Sequence, residues 1–173
     1  MPYWPQRISN YSVFLEEYNL LGLADCTLPN ATPLSDEIKG AGVMGSIDAP
    51  THCHFGPMSI VLNWHVPDEN TMRLAVQDSV NLDIWCCHQG RDSGTNRAEY
   101  KGWRFFIGGM PKGINFGNME VGAAGAASTE LEVVSFRGLY EDVEEFHIDK
   151  DNFICKIKGV DYAARIRQKI GRA

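Results

Sequence analysis

Two short clusters of histidine and cysteine contain the residue types in this sequence that could do chemistry. They are His52-Cys53-His54 and Cys86-Cys87-His88. Imidazole nitrogens and thiolates are ligands of zinc, which usually takes four of them in a tetrahedron. In an extended strand His52 and His54 would share one face, while Cys53 would lie on the other. No Cys-x-x-Cys pair accompanies them. The alternative is that these side chains simply pack in or near a sheet.

Other patterns that could support catalysis or ligand binding are weak. A cysteine nucleophile needs a base beside it, but Cys87 and His88 are neighbours along a strand and would point apart. The glycine-rich segments at residues 108–109 and 122–125 do not match a phosphate-binding fingerprint. The acidic run over residues 141–151 lacks the spacing of an EF-hand loop and is typical of a solvated hairpin tip. We therefore expect no enzyme activity and no cofactor.

Composition narrows the class of protein further. The chain has 173 residues, which favours one domain with a real core, and its net charge is −6. That charge argues against a general nucleic-acid binder, although an acidic surface would let a polyanion slide past without sticking. We expect no secretory signal and no membrane insertion, because no apolar run is long enough. The five cysteines fit reduced thiols and assembly in a cytoplasm.

Two segments in the first third lack the pattern of a core. Residues 1–10 hold two prolines and two aromatic residues, and we expect an extended arm. Its aromatic side chains, Tyr3 and Trp4, would need a partner surface. Residues 30–56 are rich in proline and glycine, which is uncommon for a long segment in a compact domain. Their middle, residues 37–47, carries enough apolar side chains to be ordered by a partner, so we expect a long projecting loop or hairpin.

Strand and helix patterns fill the rest of the chain. Residues 11–17 and 23–28 are predicted to form a hairpin, and residues 58–64 alternate like a half-buried strand. Asp68 is a plausible N-cap for a helix that covers one face of the sheet. Its apolar stripe would be Met72, Ala75, Val76 and Val80. With about seven strands in all, the sequence predicts a mainly β (α+β) protein, an antiparallel β-sandwich or barrel-like fold.

The last third combines an acidic run with a basic C-terminal end. A short helix is predicted after Asp161, its N-cap candidate, with Tyr162, Ile166 and Ile170 on one face. The basic side chains are Lys156, Lys158, Arg165, Arg167, Lys169 and Arg172. An acidic segment followed by a basic segment favours head-to-tail contact between copies, which produces rings or filaments. The alternative is that the acidic and basic segments form two unrelated faces in contact with solvent.

Taken in order, these features resemble the major tail tube protein of contractile-tailed phages and of phage-tail-like bacteriocins. The similarity covers nearly the whole chain and is strongest in four places. These are the strand at residues 10–15 with its turn at Leu21-Gly22, the acidic-then-glycine segment at residues 36–45, the strand ending at Trp64 with the Asp68-Glu69 helix after it, and the ending at residues 157–167. The C-terminal motif is the most specific of them. Where the family has a short basic arm, this chain has Tyr3-Trp4-Pro5 and only Arg7 as a cation.

The resemblance implies a structural subunit of a single tail-tube domain, residues 1–173. Copies would form hexameric rings whose sheets join edge to edge, and the rings would stack into a hollow tube inside a contractile sheath. The resemblance also implies sheath, baseplate, tail terminator and tape-measure partners, and DNA passing through the lumen if the particle is a phage. Contacts between subunits or rings are expected at Tyr3, Trp4, Glu37, Ile38, Lys39, Val43, Met44 and Ile47. Lumen candidates are Glu130 and Glu132, and sheath-facing candidates are Glu144, Glu145, Arg165 and Lys169.

A second hypothesis comes from a different class of protein. The chain could be a small soluble β-barrel that binds a metal or a small ligand through His52, Cys53 and His54. Long hollow tubes seen by electron microscopy would favour the tube subunit, whereas a monomer carrying stoichiometric zinc would favour the metal-binding barrel.

Overall fold

The computed structural model describes residues 3–15, 19–21, 24–74 and 79–172. Strands make up 62% of the structure and helices 6%, which confirms the mainly β class. The strands in chain order are β1 (Tyr3–Leu15), β2 (Asn19–Leu20), β3 (Ala24–Thr27), β4 (Pro33–Lys39), β5 (Ser46–Phe55), β6 (Ser59–Trp64), β7 (Val80–Asp92), β8 (Ala98–Asn115), β9 (Ala127–Tyr140), β10 (Val143–Asp149), β11 (Ile154–Ile157) and β12 (Val160–Asp161). The helices are α1 (Glu69–Arg73) and α2 (Ala164–Lys169). In the part of the chain described, no helix is long and apolar enough to cross a membrane.

Ten of the strands form one antiparallel sheet that branches at β9. The main path runs β12-β11-β10-β9-β8-β7-β1-β2. One edge of β9 pairs with β8 along its length. The other edge is divided, because residues 127–132 pair with β6 while residues 135–140 pair with β10. Strand β8 has register shifts at Gly108/Gly109 and Pro111/Gly113, where a proline without an N–H donor can be tolerated. The sheet can therefore curl around the core near the branch.

The core is formed by buried residues of the large sheet, with strands β6, β7 and β9 contributing most of them. Strand β6 alternates as the sequence predicts, with Met58, Ile60, Leu62 and Trp64 all at most 2% exposed. Alternate residues of β7 and β9 close the same core: Val80, Leu82, Ile84, Ala127, Thr129, Leu131 and Val133. The buried Trp64 indole donates to Thr129 Oγ1 at 3.0 Å, so both polar groups are satisfied inside the core.

Strand pairing at the N-terminus differs from the predicted hairpin. Strand β1 starts at Tyr3 and pairs with β7, with bulges at Pro5/Arg7 and Ile8/Asn10. Strand β3 pairs with β6, so the prediction that residues 11–17 and 23–28 pair with each other is wrong. Tertiary pairing with long strands outweighs the local turn signal at this point. Residues 1–2, 16–18 and 22–23 of the predicted arm, strands and turn lie outside the described residues.

For helix α1, the predicted N-cap is correct, and the predicted apolar stripe is wrong. Asp68 Oδ1 accepts a hydrogen bond from the Thr71 N–H at 3.0 Å, which confirms Asp68 as the cap. Met72, assigned to the apolar stripe, is 44% exposed, and Thr71 and Leu74 are buried instead. The threonine hydroxyl bonds to the cap carboxylate at 3.2 Å, and this allows a polar residue to face the core. Val80 belongs to β7, and Ala75 and Val76 lie outside the described residues.

Helix α2 starts two residues later than predicted. Its N-cap position is Ala163, which makes no side-chain capping hydrogen bond. Asp161 instead accepts from the Ala163 N–H at 3.0 Å and pairs with Arg167 at 2.6 Å. Arg167 is therefore tied down and only partly exposed, although the sequence suggested a solvated side chain. No residue of α2 itself is fully buried. Of the predicted apolar face, Tyr162 and Ile170 are exposed and Ile166 is partly buried.

Candidate functional site

Residues 33–55 form a hairpin that has its own two-stranded sheet. Strand β4 pairs with β5 in the register Ile38↔Ile47, and these two strands share no ladder with the large sheet. The turn contains Gly40, Gly42 and Gly45, all with positive φ, which glycine adopts without steric cost. Every residue of β4 is exposed. An isolated two-stranded hairpin is only marginally stable in water, so this element gains from a covering surface.

Apolar side chains lie along this exposed hairpin. Ile38 and Ile47 face each other across the two strands and are 54% and 55% exposed, and Met44 at the turn is fully exposed. Leu34 and Val43 are also exposed. Clustered apolar exposure of this kind is typical of surfaces that contact another molecule. Glu37 and Lys39, also expected in contacts, form an ion pair of 3.2 Å on the same hairpin.

A bulge at the base of the hairpin separates the members of the first histidine–cysteine cluster. Residues 51–54 lie within the register shift between Pro33 and Ser35, and Cys53 has φ of 56°. The His52 ring contacts the Tyr162 ring edge-on at 6.0 Å. Burial, and to a lesser extent contact with Cys53, raises the pKa of the Cys155 thiol to about 11. This bulge therefore joins the hairpin base to the C-terminal strands, while His54 is exposed.

The second cluster lies elsewhere, on β7. Cys87 is exposed, and His88 Nδ1 is 3.0 Å from the Tyr3 hydroxyl. The His88 ring also stacks on Tyr140 with ring centroids 5.7 Å apart. Among the described residues, no three histidine, cysteine or acidic side chains are grouped closely enough to hold a metal ion. The metal-binding alternative gains no support from this arrangement.

The two aromatic side chains of the N-terminal segment differ in exposure. Tyr3 is half-buried against His88, lies over Gly90 and has the Lys101 ammonium 4.6 Å from its ring centroid. Trp4 is 59% exposed on the neighbouring position of β1. Tyr3 is thus anchored within its own chain, whereas Trp4 is available to another molecule.

The proposed lumen residues Glu130 and Glu132 lie on the face of β9 that points away from the core. Each has a lysine partner: Glu130 pairs with Lys112 at 2.9 Å and Glu132 with Lys150 at 3.4 Å. The hydrogen bond from Lys112 lowers the pKa of Glu130 below its usual value. These pairs reduce the negative potential that the carboxylates present to a polyanion.

A comparison with protein families shows what kind of protein this chain is. The model of the family described as phage tail tube protein FII matches residues 5–171. The chain belongs to the phage tail tube protein FII family. It is a structural subunit of a phage tail tube, it is located in the virion tail, and its partners include copies of itself. The family match confirms the resemblance found in the sequence. No curated protein matches the chain.

In this tail tube subunit the expected sheath-facing residues fall into two groups. Glu144 lies 3.2 Å from Arg137, and Glu145 lies 3.7 Å from Lys158, so both carboxylates are paired at the surface. Arg165 and Lys169 are exposed on α2. Salt bridges at the surface contribute little to stability, so these side chains can exchange partners on contact with another protein.

The tail tube subunit also has a charged aromatic layer that the sequence analysis missed. Arg104 on β8 pairs with Asp83 on β7 at 2.7 Å, and its guanidinium carbon lies 4.2 Å from the Trp85 ring and 4.4 Å from the Phe106 ring. All four side chains lie on the face opposite the core. The signal for it in the sequence is that these four residues alternate with core-facing residues along β7 and β8. The layer links β7 and β8 through an ion pair and cation–π contacts, and the Arg104–Asp83 pair carries no net charge.

Proposed function

We propose that copies of this subunit form hexameric rings that stack into the hollow tube of a contractile tail. The single observation that best supports this proposal is the exposed apolar hairpin on a chain that matches a tail tube family over residues 5–171. The tube carries no catalytic task. In a phage it conducts DNA, and in a bacteriocin it punctures the target envelope, with sheath, baseplate, tail terminator and tape-measure proteins as its partners.

The unpaired edge of strand β1 supports the closure of rings. Strand β1 pairs with β7 along one edge, while β2 pairs only with Phe14 and Leu15 on the other. In the described part of the chain, residues 3–12 thus have no strand on their outer side. An open margin of this length is an aggregation hazard unless another strand covers it. Joining it to the sheet of the next copy removes the hazard, and Trp4 and Ile8, 59% and 64% exposed, are then covered.

The hairpin supports contact between rings. It is tethered to its own chain by the bulge at His52 and Cys53, and its turn lies at the far end of two strands. Seven residues of β4 extend by about 23 Å at 3.3 Å per residue, enough to reach a neighbouring subunit. Burial of Ile38, Val43, Met44 and Ile47 against that neighbour provides the favourable free energy.

Roles for the paired carboxylates follow from the same scheme. Glu130 and Glu132 face the lumen, where a weakly charged wall lets DNA pass without binding it. Glu144 and Glu145 lie on the outside, where a sheath subunit can replace their present partners Arg137 and Lys158.

The test is to delete residues 37–47 and join the strands by a short turn. Because β4 and β5 share no ladder with the large sheet, the shortened chain should keep its fold and its melting temperature. It should fail to polymerise under conditions in which the wild-type chain forms hollow tubes by electron microscopy. Tubes formed by the deletion variant would contradict the role of the hairpin. A wild-type chain that stays a monomer with stoichiometric zinc would contradict the tube itself and favour the metal-binding barrel.

A further inference from the structure

The C-terminal end of the chain presents an apolar surface that its own core does not cover. Ile157 and Val160 pair across β11 and β12 and are 47% and 54% exposed. Tyr162 and Ile170 beside them are 45% and 52% exposed. Helix α2 buries none of its residues. An apolar cluster of this kind on a rigid strand–helix unit is a candidate contact surface.

The same unit carries a strong excess of positive charge in an acidic protein. Residues 154–172 contain six cations and one carboxylate, Asp161, whereas the whole chain has a net charge of −6. Arg167 is occupied by Asp161 at 2.6 Å and by the Phe153 carbonyl at 2.7 Å. Arg165 and Lys169 are exposed on α2, and Arg172 follows its end. We call residues 157–172 the C-terminal basic surface.

The hairpin of residues 33–55 is complementary to the C-terminal basic surface in both charge and apolar character. It carries Asp36, Glu37 and Asp48 against a single cation, Lys39. Asp36 lies on the same face of the hairpin as Ile38 and Ile47. Glu37 and Asp48 face each other on the opposite side, where Lys39 pairs with Glu37. A cationic partner on this face would neutralise Asp36, while the exposed isoleucines beside it provide apolar area to bury.

The hairpin does not cover the C-terminal basic surface of its own chain. Its base contacts the C-terminal unit through His52 and Tyr162, yet Ile38, Met44 and Ile47 remain exposed along the strands and turn. Each copy therefore offers one hairpin and one unfilled C-terminal basic surface. A contact between two different patches repeats from copy to copy without closing on itself as a dimer, and this is the geometry of a stacked tube.

We propose that the hairpin of one copy docks on the C-terminal basic surface of a second copy, with Asp36 meeting Arg165 and Lys169. The proposal rests on the tube function and names the surface that receives the hairpin. It assigns Arg165 and Lys169 to contact between copies instead of contact with the sheath.

Charge exchange tests the pairing. The surface variant Arg165→Glu/Lys169→Glu and the hairpin variant Asp36→Lys should each raise the concentration needed for assembly at least about 10-fold, since like charges would then meet. Combining all three substitutions in one chain should restore assembly. An equal mixture of the two variants should also copolymerise, because every contact in an alternating stack would again join opposite charges. Tube formation is measured by sedimentation and electron microscopy.

A matched control reverses two exposed cations outside the C-terminal basic surface, Arg73→Glu/Arg97→Glu, and should assemble like the wild type. Folding of each variant is checked by its melting curve. Wild-type assembly by the surface variant would overturn the proposal, and loss of sheath binding in that variant would identify a sheath surface instead. Failure of both the triple variant and the mixture, with all chains folded, would also overturn it. The tube function would still stand if deletion of residues 37–47 abolishes assembly.

Discussion

Replacing both Ile38 and Ile47 by serine isolates the apolar part of the hairpin contact. The two side chains face each other across β4 and β5, and 54% and 55% of their surfaces are exposed in the single chain. Full burial of an isoleucine side chain contributes about 1.5–3 kcal/mol. Because each is already half-covered, the double variant should lose about 1.5–3 kcal/mol in total from each contact. That loss raises the concentration needed for assembly by about 10- to 150-fold.

The assay is the concentration at which the protein begins to sediment as tubes, measured beside its thermal unfolding. Since neither isoleucine belongs to the buried core, the melting temperature should stay near that of the wild type. The matched control is Met119→Ser/Val121→Ser, which removes two apolar side chains that are 97% and 105% exposed outside the hairpin. Assembly of Ile38→Ser/Ile47→Ser at the wild-type concentration would refute the reasoning, and so would an equal defect in the control.

Two further predictions concern stability and thiol reactivity. Gly138→Ala places a methyl group against the Phe146 ring and should lower the free energy of unfolding, measured by chemical denaturation, by about 1–3 kcal/mol. The control Gly113→Ala has open space at its Cβ and should leave the free energy of unfolding unchanged. Stability equal to that of Gly113→Ala would show that the ring moves aside freely. Alkylation at pH 8 followed by mass spectrometry should label exposed Cys87 well before Cys155, whose pKa is raised to about 11 by burial and by Cys53. Because the pKa of Cys155 in the folded chain exceeds the ordinary 9.0, the stabilisation from burying its neutral thiol is complete below pH 9.0 and is lost as the pH rises towards 11. Equal labelling of the two cysteines, or a free energy of unfolding that stays constant from pH 9.0 to 11, would contradict the burial of Cys155.

The sequence alone determined the class of the fold and the family. The alternation from Met58 to Trp64 is visible without coordinates, because the side chains of a strand point to opposite faces in turn. The cap at Asp68 is equally local, since one carboxylate and the N–H three residues later are enough to make it. The absence of catalytic patterns and the order of motifs led to a tail tube protein, and the family match over residues 5–171 bears this out.

Only the tertiary structure decided which strands pair and which charges meet. The pairing of β1 with β7 and of β3 with β6 joins segments far apart in the chain, and no local turn signal encodes it. The lysine partners of Glu130 and Glu132 lie 18 residues away from them in the sequence, and only the folded sheet brings them together. The histidine–cysteine clusters separate for the same reason, because their surroundings are set by long-range packing and not by adjacent residues.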